Sequence, residues 1–120
     1  VKMLMVPADG HKPVREVRVP WSDGATSRKI RRLIGYDDVR RHTLSVPRYD
    51  HGAEIRVFAA DLAADQLCSL QRNRRAEQLV SVAVHGDVVV VGILSLGGRF
   101  FAGLSPEAGR RLLGRMGAGW

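Results

Sequence analysis

The chain has 120 residues, 45% of them apolar and 26% charged, a balance that belongs to globular domains and excludes a globally disordered polymer. No window reaches the apolar length of a membrane-spanning helix, and residues 1–7 are too short for a secretory leader and read better as a strand. Nineteen basic against twelve acidic residues leave a net charge of +7, which favours polyanionic partners: nucleic acid, an acidic protein face or a phosphorylated ligand.

Lys2, Lys12 and Lys29 are the lysines, and all other cations are arginines, whose planar fork suits bidentate phosphate or carboxylate contacts. The same excess of Arg, Gly, Ala and Val also follows from GC-rich coding, so composition leaves both origins open. Cys68 is the single cysteine and cannot form an internal disulfide, from which a reducing, cytoplasmic compartment is expected.

One α+β domain over residues 1–120 is expected, a mostly antiparallel sheet of about six strands with two principal covering helices. Residues 2–6 read as a first strand and 7–13 as turn chemistry. Residues 14–19 alternate loosely and return as a hairpin that Pro20 ends. Ser22 or Asp23 caps a helix running to Leu33 or Ile34 and stopped by Gly35. Within it Ile30, Leu33 and Ile34 have the spacing of a buried face, which turns Arg28, Lys29, Arg31 and Arg32 to water.

Asp37, Asp38, Arg40 and Arg41 read as a mixed-charge linker, residues 43–46 as a strand ended by Pro47, and 48–52 as a loop. Residues 54–59 alternate cleanly, with Ile55, Val57 and Ala59 on one face. Residues 61–65 are read as a hairpin tip and 66–70 as the returning strand, which places Cys68 in the interior as a structural thiol. Residues 72–76 lead into a short helical stretch towards Leu79.

Residues 81–95 are the most apolar part of the chain, and Val88 to Val91 with Ile93 and Leu94 can be buried on both faces. That pattern predicts the central strand, with His85, Gly86 and Asp87 as the turn before it and Gly97 and Gly98 as the turn into a last strand at 99–103. Ser105, Pro106 and Glu107 are a helix start: a capping hydroxyl, a proline at the first helical position and an acid in the first turn. Ala108, Leu112, Leu113 and Met116 form its apolar face, and residues 117–120 are expected to fray.

The order of these pieces resembles the small phage and plasmid family known as domain of unknown function 3846. The resemblance rests on the Lys12-Pro-Val-Arg-Glu-Val17 strand, the helix ending Ile34-Gly35-Tyr36, and Asn73-Arg74-Arg75-Ala76. It continues through the Gly86 to Gly92 strand and the Leu104-Ser-Pro-Glu107 helix start. It covers nearly the whole chain and implies a mobile-element or actinobacterial setting without naming a reaction.

Signals for chemistry are sparse. His11, His42, His51 and His85 lie mostly in turns and none has metal-ligand spacing. Asp50-His51 and His85-Gly-Asp87 read as turns before they read as acid–base pairs. No nucleophile elbow, P-loop or dinucleotide fingerprint is present, and no cofactor is expected. Arg72, Asn73, Arg74 and Arg75 have two readings: guanidiniums and an amide that hold phosphate oxygens, or a solvated loop whose asparagine caps the next turn.

The resulting expectation is a non-enzymatic accessory protein of a phage, plasmid or integrated element. It binds nucleic acid through Arg28, Lys29, Arg31 and Arg32 together with Arg72, Asn73, Arg74 and Arg75, the two clusters forming one surface. A protein with an acidic face is the alternative partner, and a small enzyme without a recognisable motif the third reading. Aromatic residues show no interleaving with basic ones, so a single-strand stacking platform is not indicated. No metal or membrane is expected, and the oligomeric state stays open.

Overall fold

In the computed structural model, residues 1–20, 23–44, 48–95 and 99–117 are described. Strand β1 (Lys2–Val6) folds back on β2 (Arg15–Arg18), and helix α1 (Asp23–Ile34) then carries the chain to the opposite edge of the sheet. There β3 (Val39–Thr43), β4 (Tyr49–Asp50) and β5 (Ala53–Ala60) follow, with β3 and β4 both paired to β5. Two single-turn helices, α2 (Ala64–Leu67) and α3 (Arg74–Glu77), lead to β6 (Val88–Ser95), β7 (Arg99–Ala102) and α4 (Pro106–Arg115).

All seven strands join one antiparallel sheet in the order β2-β1-β6-β5-β3, with β7 on β6 and β4 on β5. The expected α+β class holds, and β6 lies at the centre, between β1 and β5. Val88 to Val91 are 0% exposed because the sheet is covered on both faces. Alternation along β6 divides them. Val88 and Val90 pack with Leu4, Val6, Ile55 and Val57 beneath α3, residues 79–84 and α4. Val89 and Val91 pack with Met3, Phe58, Ala60 and, from α1, Ile30 and Ile34. Fully burying each valine contributes roughly 1.5–3 kcal/mol, so this one strand anchors both cores. The two principal helices therefore lie on opposite sides of the sheet.

Two local signals appear as read. Ser105 Oγ accepts from the N–H of Ala108 at 3.1 Å, with Pro106 at the first helical turn. Gly35 ends α1 at φ +89°, a left-handed conformation that costs a glycine little. Trp21, Ser22, the second half of the strand expected at 43–46 with Pro47, the Gly97-Gly98 turn and residues 118–120 lie outside the described residues.

Several expectations are corrected. Residues 61–65 are not a hairpin tip and 66–70 are not a strand; irregular chain runs to Ala63, and α2 and its following turn occupy the rest of this stretch. A strand here would need an edge of β5, and both edges are taken, one by β6 and the other by β3 and β4. Cys68 is consequently exposed rather than an interior thiol. Arg40 and Arg41 belong to β3, which starts at Val39, rather than to a linker. The loop at 48–52 is a hairpin, whose two-residue turn His51-Gly52 has φ of +48° and +84°, as a type I′ connection requires. Among the described residues no helix is long and apolar enough to cross a membrane.

Candidate nucleic-acid interface

Helix α1 builds the most cationic face. Ile30 and Ile34 are buried against the sheet and Leu33 packs beside them, which leaves Arg28, Arg31 and Arg32 exposed and Lys29 half-buried. None of these four forms an ion pair among the described residues. Arg31 and Arg32 occupy the last turn, where the negative end of the helix dipole favours cations. Arg28 and Arg32 are one turn apart, about 6 Å along the axis.

The chain reversal at Gly35 completes a groove. Gly35 N–H donates to Arg31 O at 2.7 Å, and the backbone then brings Tyr36 and Asp37 beside the arginines. Arg28, Arg31, Arg32, Gly35, Tyr36 and Asp37 line a shallow groove of about 570 Å³. That volume is within the range of small-ligand sites. The lining combines three guanidiniums, one carboxylate and the aromatic side chain of Tyr36, which is 36% exposed.

Strand β3 adds a cation on the same side. Arg41 stands directly opposite Phe58, a member of the core beneath α1, so it projects from the α1 face of the sheet. It is exposed and makes no ion pair among the described residues. Arg40 projects from the other face and donates to Asp61 Oδ1 at 2.9 Å. His42 shares the Arg40 side; burial, and then Arg40, lowers its pKa, while Asp61 acts in the opposite sense. Sequence reading missed both Arg41 and Tyr36. Alternation counted from Val39 would have separated Arg41 from Arg40, but nothing local announces that Tyr36 turns back towards the helix.

The second predicted cluster has a different role. Arg72 donates to both oxygens of Glu77 at 3.0 and 2.6 Å, and Glu77 Oε2 also accepts from Val84 N–H at 3.0 Å. The Arg72 hydrogen bond is the chief reason the Glu77 carboxyl is held below its ordinary range, and the same bond raises the Arg72 guanidinium. Asn73 is 0% exposed, and its amide donates to the carbonyls of Val6 and Gly86. Its Oδ1 accepts from Ala76 N–H at 3.0 Å, capping α3. Arg75 donates to the carbonyls of Pro7 and Asp9. Of the four residues, Arg74 alone is exposed without such a partner among the described residues.

This corrects the expectation of one continuous surface. Ala76 of α3 belongs to the core on one side of the sheet, and Ile30 of α1 to the core on the other. Asn73 cannot reach a ligand because it is enclosed, and Arg72 and Arg75 are engaged within the fold.

Two other groupings are structural. Asp50 accepts from the N–H and the hydroxyl of Ser105 at 2.8 and 2.7 Å, fixing the start of α4 to the β4–β5 hairpin. His51 Nε2 lies 3.8 Å from Asp50 Oδ1, beyond hydrogen-bond range. Among the described residues no group of three or more His, Cys, Asp or Glu is placed to hold a metal ion.

No family model matches the chain, and no curated protein matches it. Among solved structures, the small RNA methyltransferase HEN1 shares its fold, with a TM-score of 0.71 over 93% of this chain at 16% identity. The chain spans 16% of that protein's length, so the likeness is to one segment of a much larger molecule. It establishes a common fold.

Proposed function

We propose that this protein binds nucleic acid through the α1 face, as a non-enzymatic accessory protein of a phage, plasmid or integrated element. One observation carries the reading: the distribution of neutralised charge. Arg18, Arg40, Arg48, Arg56, Arg72 and Arg111 each have a carboxylate partner. The α1 cations have none among the described residues, and although Lys12, Arg15, Arg41, Arg74, Arg110 and Arg115 also have none, α1 gathers three unpaired guanidiniums in one groove, with Asp37 beside them. Like charges held this close repel one another, and a polyanion that replaces their counterions relieves the repulsion. The shared fold with a segment of a small RNA methyltransferase makes RNA the first polyanion to try.

Fluorescence anisotropy with labelled RNA and DNA across a salt series tests this. Neutralising about three or four phosphates predicts a log–log salt slope of roughly −2 to −4. Arg28→Glu combined with Arg32→Glu is expected to abolish binding and leave the melting temperature nearly unchanged, because both side chains are exposed. Full binding by that variant would overturn the reading. An acidic protein is the second partner class. It is favoured if the wild type releases nucleic acid at physiological salt yet holds a tight acidic-protein complex that the charge reversal destroys.

A further inference from the structure

Resting on that reading of the α1 face, and against the sequence expectation that no single-strand stacking platform is present, we infer that its groove takes a single strand rather than a duplex, with Tyr36 as the stacking residue. The ring lines the same groove as Arg28, Arg31 and Arg32, so one ligand can meet an aromatic face and guanidiniums together. A duplex offers phosphates but keeps its base faces stacked inside, whereas a single strand presents both. A surface for duplex phosphates alone has no use for an aromatic residue in its lining.

The platform is held at both ends. Before Tyr36, Gly35 N–H is bonded to Arg31 O at 2.7 Å; after it, Asp38 O accepts from Asp61 N–H at 2.9 Å and β3 begins at Val39. Tyr36 therefore sits on a short link between a packed helix and a paired strand, so ordering the ring on binding costs little. Asp37 fits the same assignment. A carboxylate in a phosphate cradle repels its ligand, but beside a stacked base it accepts a hydrogen bond from an exposed amino edge. In a duplex those edges are paired. Arg41, on the same side of the sheet, is placed to meet a phosphate further along the strand.

Anisotropy titrations at equal salt with labelled single-stranded RNA, single-stranded DNA and the corresponding duplexes provide the test. The wild type is expected to bind either single strand more tightly than its duplex. Tyr36→Ala is expected to weaken single-strand binding about 5- to 150-fold and leave duplex binding unchanged. Tyr36→Phe keeps the ring and is expected to retain the affinity. Equal wild-type affinity for strand and duplex, or an unchanged single-strand affinity in Tyr36→Ala, overturns the inference while the wider reading of α1 stands. Retained binding in the Arg28→Glu, Arg32→Glu variant overturns the wider reading as well. Tyr36 is exposed, so each variant's thermal melt separates a lost contact from a lost fold.

Discussion

The side-chain amide of Asn73 donates to the carbonyl oxygen of Val6 at 2.9 Å, joining residues 67 apart in the chain. A second donation goes to Gly86 O at 3.0 Å, and the Asn73 backbone N–H donates to Val84 O at 2.7 Å. Val6 is the last residue of β1 and pairs with Val88 at the start of β6. Asn73 thus closes the end of the ladder between these two strands, and Arg75 on Pro7 and Asp9 extends the closure to the following turn. Asn73→Ala would leave two carbonyls and the Ala76 N–H without this partner at a position where Asn73 itself is 0% exposed. We expect a loss of about 2–4 kcal/mol, read as a lower urea midpoint at unchanged slope. Asn73→Asp keeps the shape but turns an acceptor towards both carbonyls, and is expected to be at least as destabilising.

Glu77 gives the fold a dependence on acid. Its carboxyl is depressed below the ordinary 4.5, chiefly by Arg72. A depressed carboxyl contributes stability that is present above the unfolded value and lost as pH falls through the folded one. Glu77→Gln should therefore melt below the wild type at neutral pH, with the gap closing as the pH drops under 4.5 towards the lower folded value. A gap independent of pH would show that the Arg72–Glu77 pair contributes no linkage.

Thr26 is 0% exposed on the buried side of α1, and its hydroxyl has no hydrogen-bond partner among the described residues. A valine keeps the branched shape and removes the orphaned hydroxyl. Thr26→Val is expected to raise stability by about 1 kcal/mol, measured by thermal or urea unfolding, with nucleic-acid affinity unaltered.

Arg40 and Arg41 are adjacent in sequence and project from opposite faces of β3. Reversing either changes net charge equally, so nonspecific attraction alone would weaken both variants alike. At physiological salt, where distant charges are screened, Arg41→Glu is expected to lower affinity by several-fold and Arg40→Glu to leave it near the wild-type value. Equal losses would place the ligand elsewhere.

Local pattern determined a good deal of this molecule. The β-branched run at 88–91 specified a strand covered on both faces, because only such an environment accepts apolar side chains at every position. The 30, 33, 34 stripe set which way α1 faces, and Ser105-Pro106 set where α4 begins, since helical periodicity and capping act within a turn or two. Tertiary structure decided the rest. Residues 66–70 carried a strand-like pattern, but pairing needs a free edge and β5 had none to offer. Arg72 and Arg75 looked as available as Arg28 and Arg32, because charge is visible in a sequence while its neutralisation is not. The carbonyls that hold Arg75 come from 66 and 68 residues away, and the carboxylate that holds Arg72 depends on the turn Asn73 caps. Which cations stay free for a partner follows from how the chain brings its own acceptors together, and that is a property of the fold.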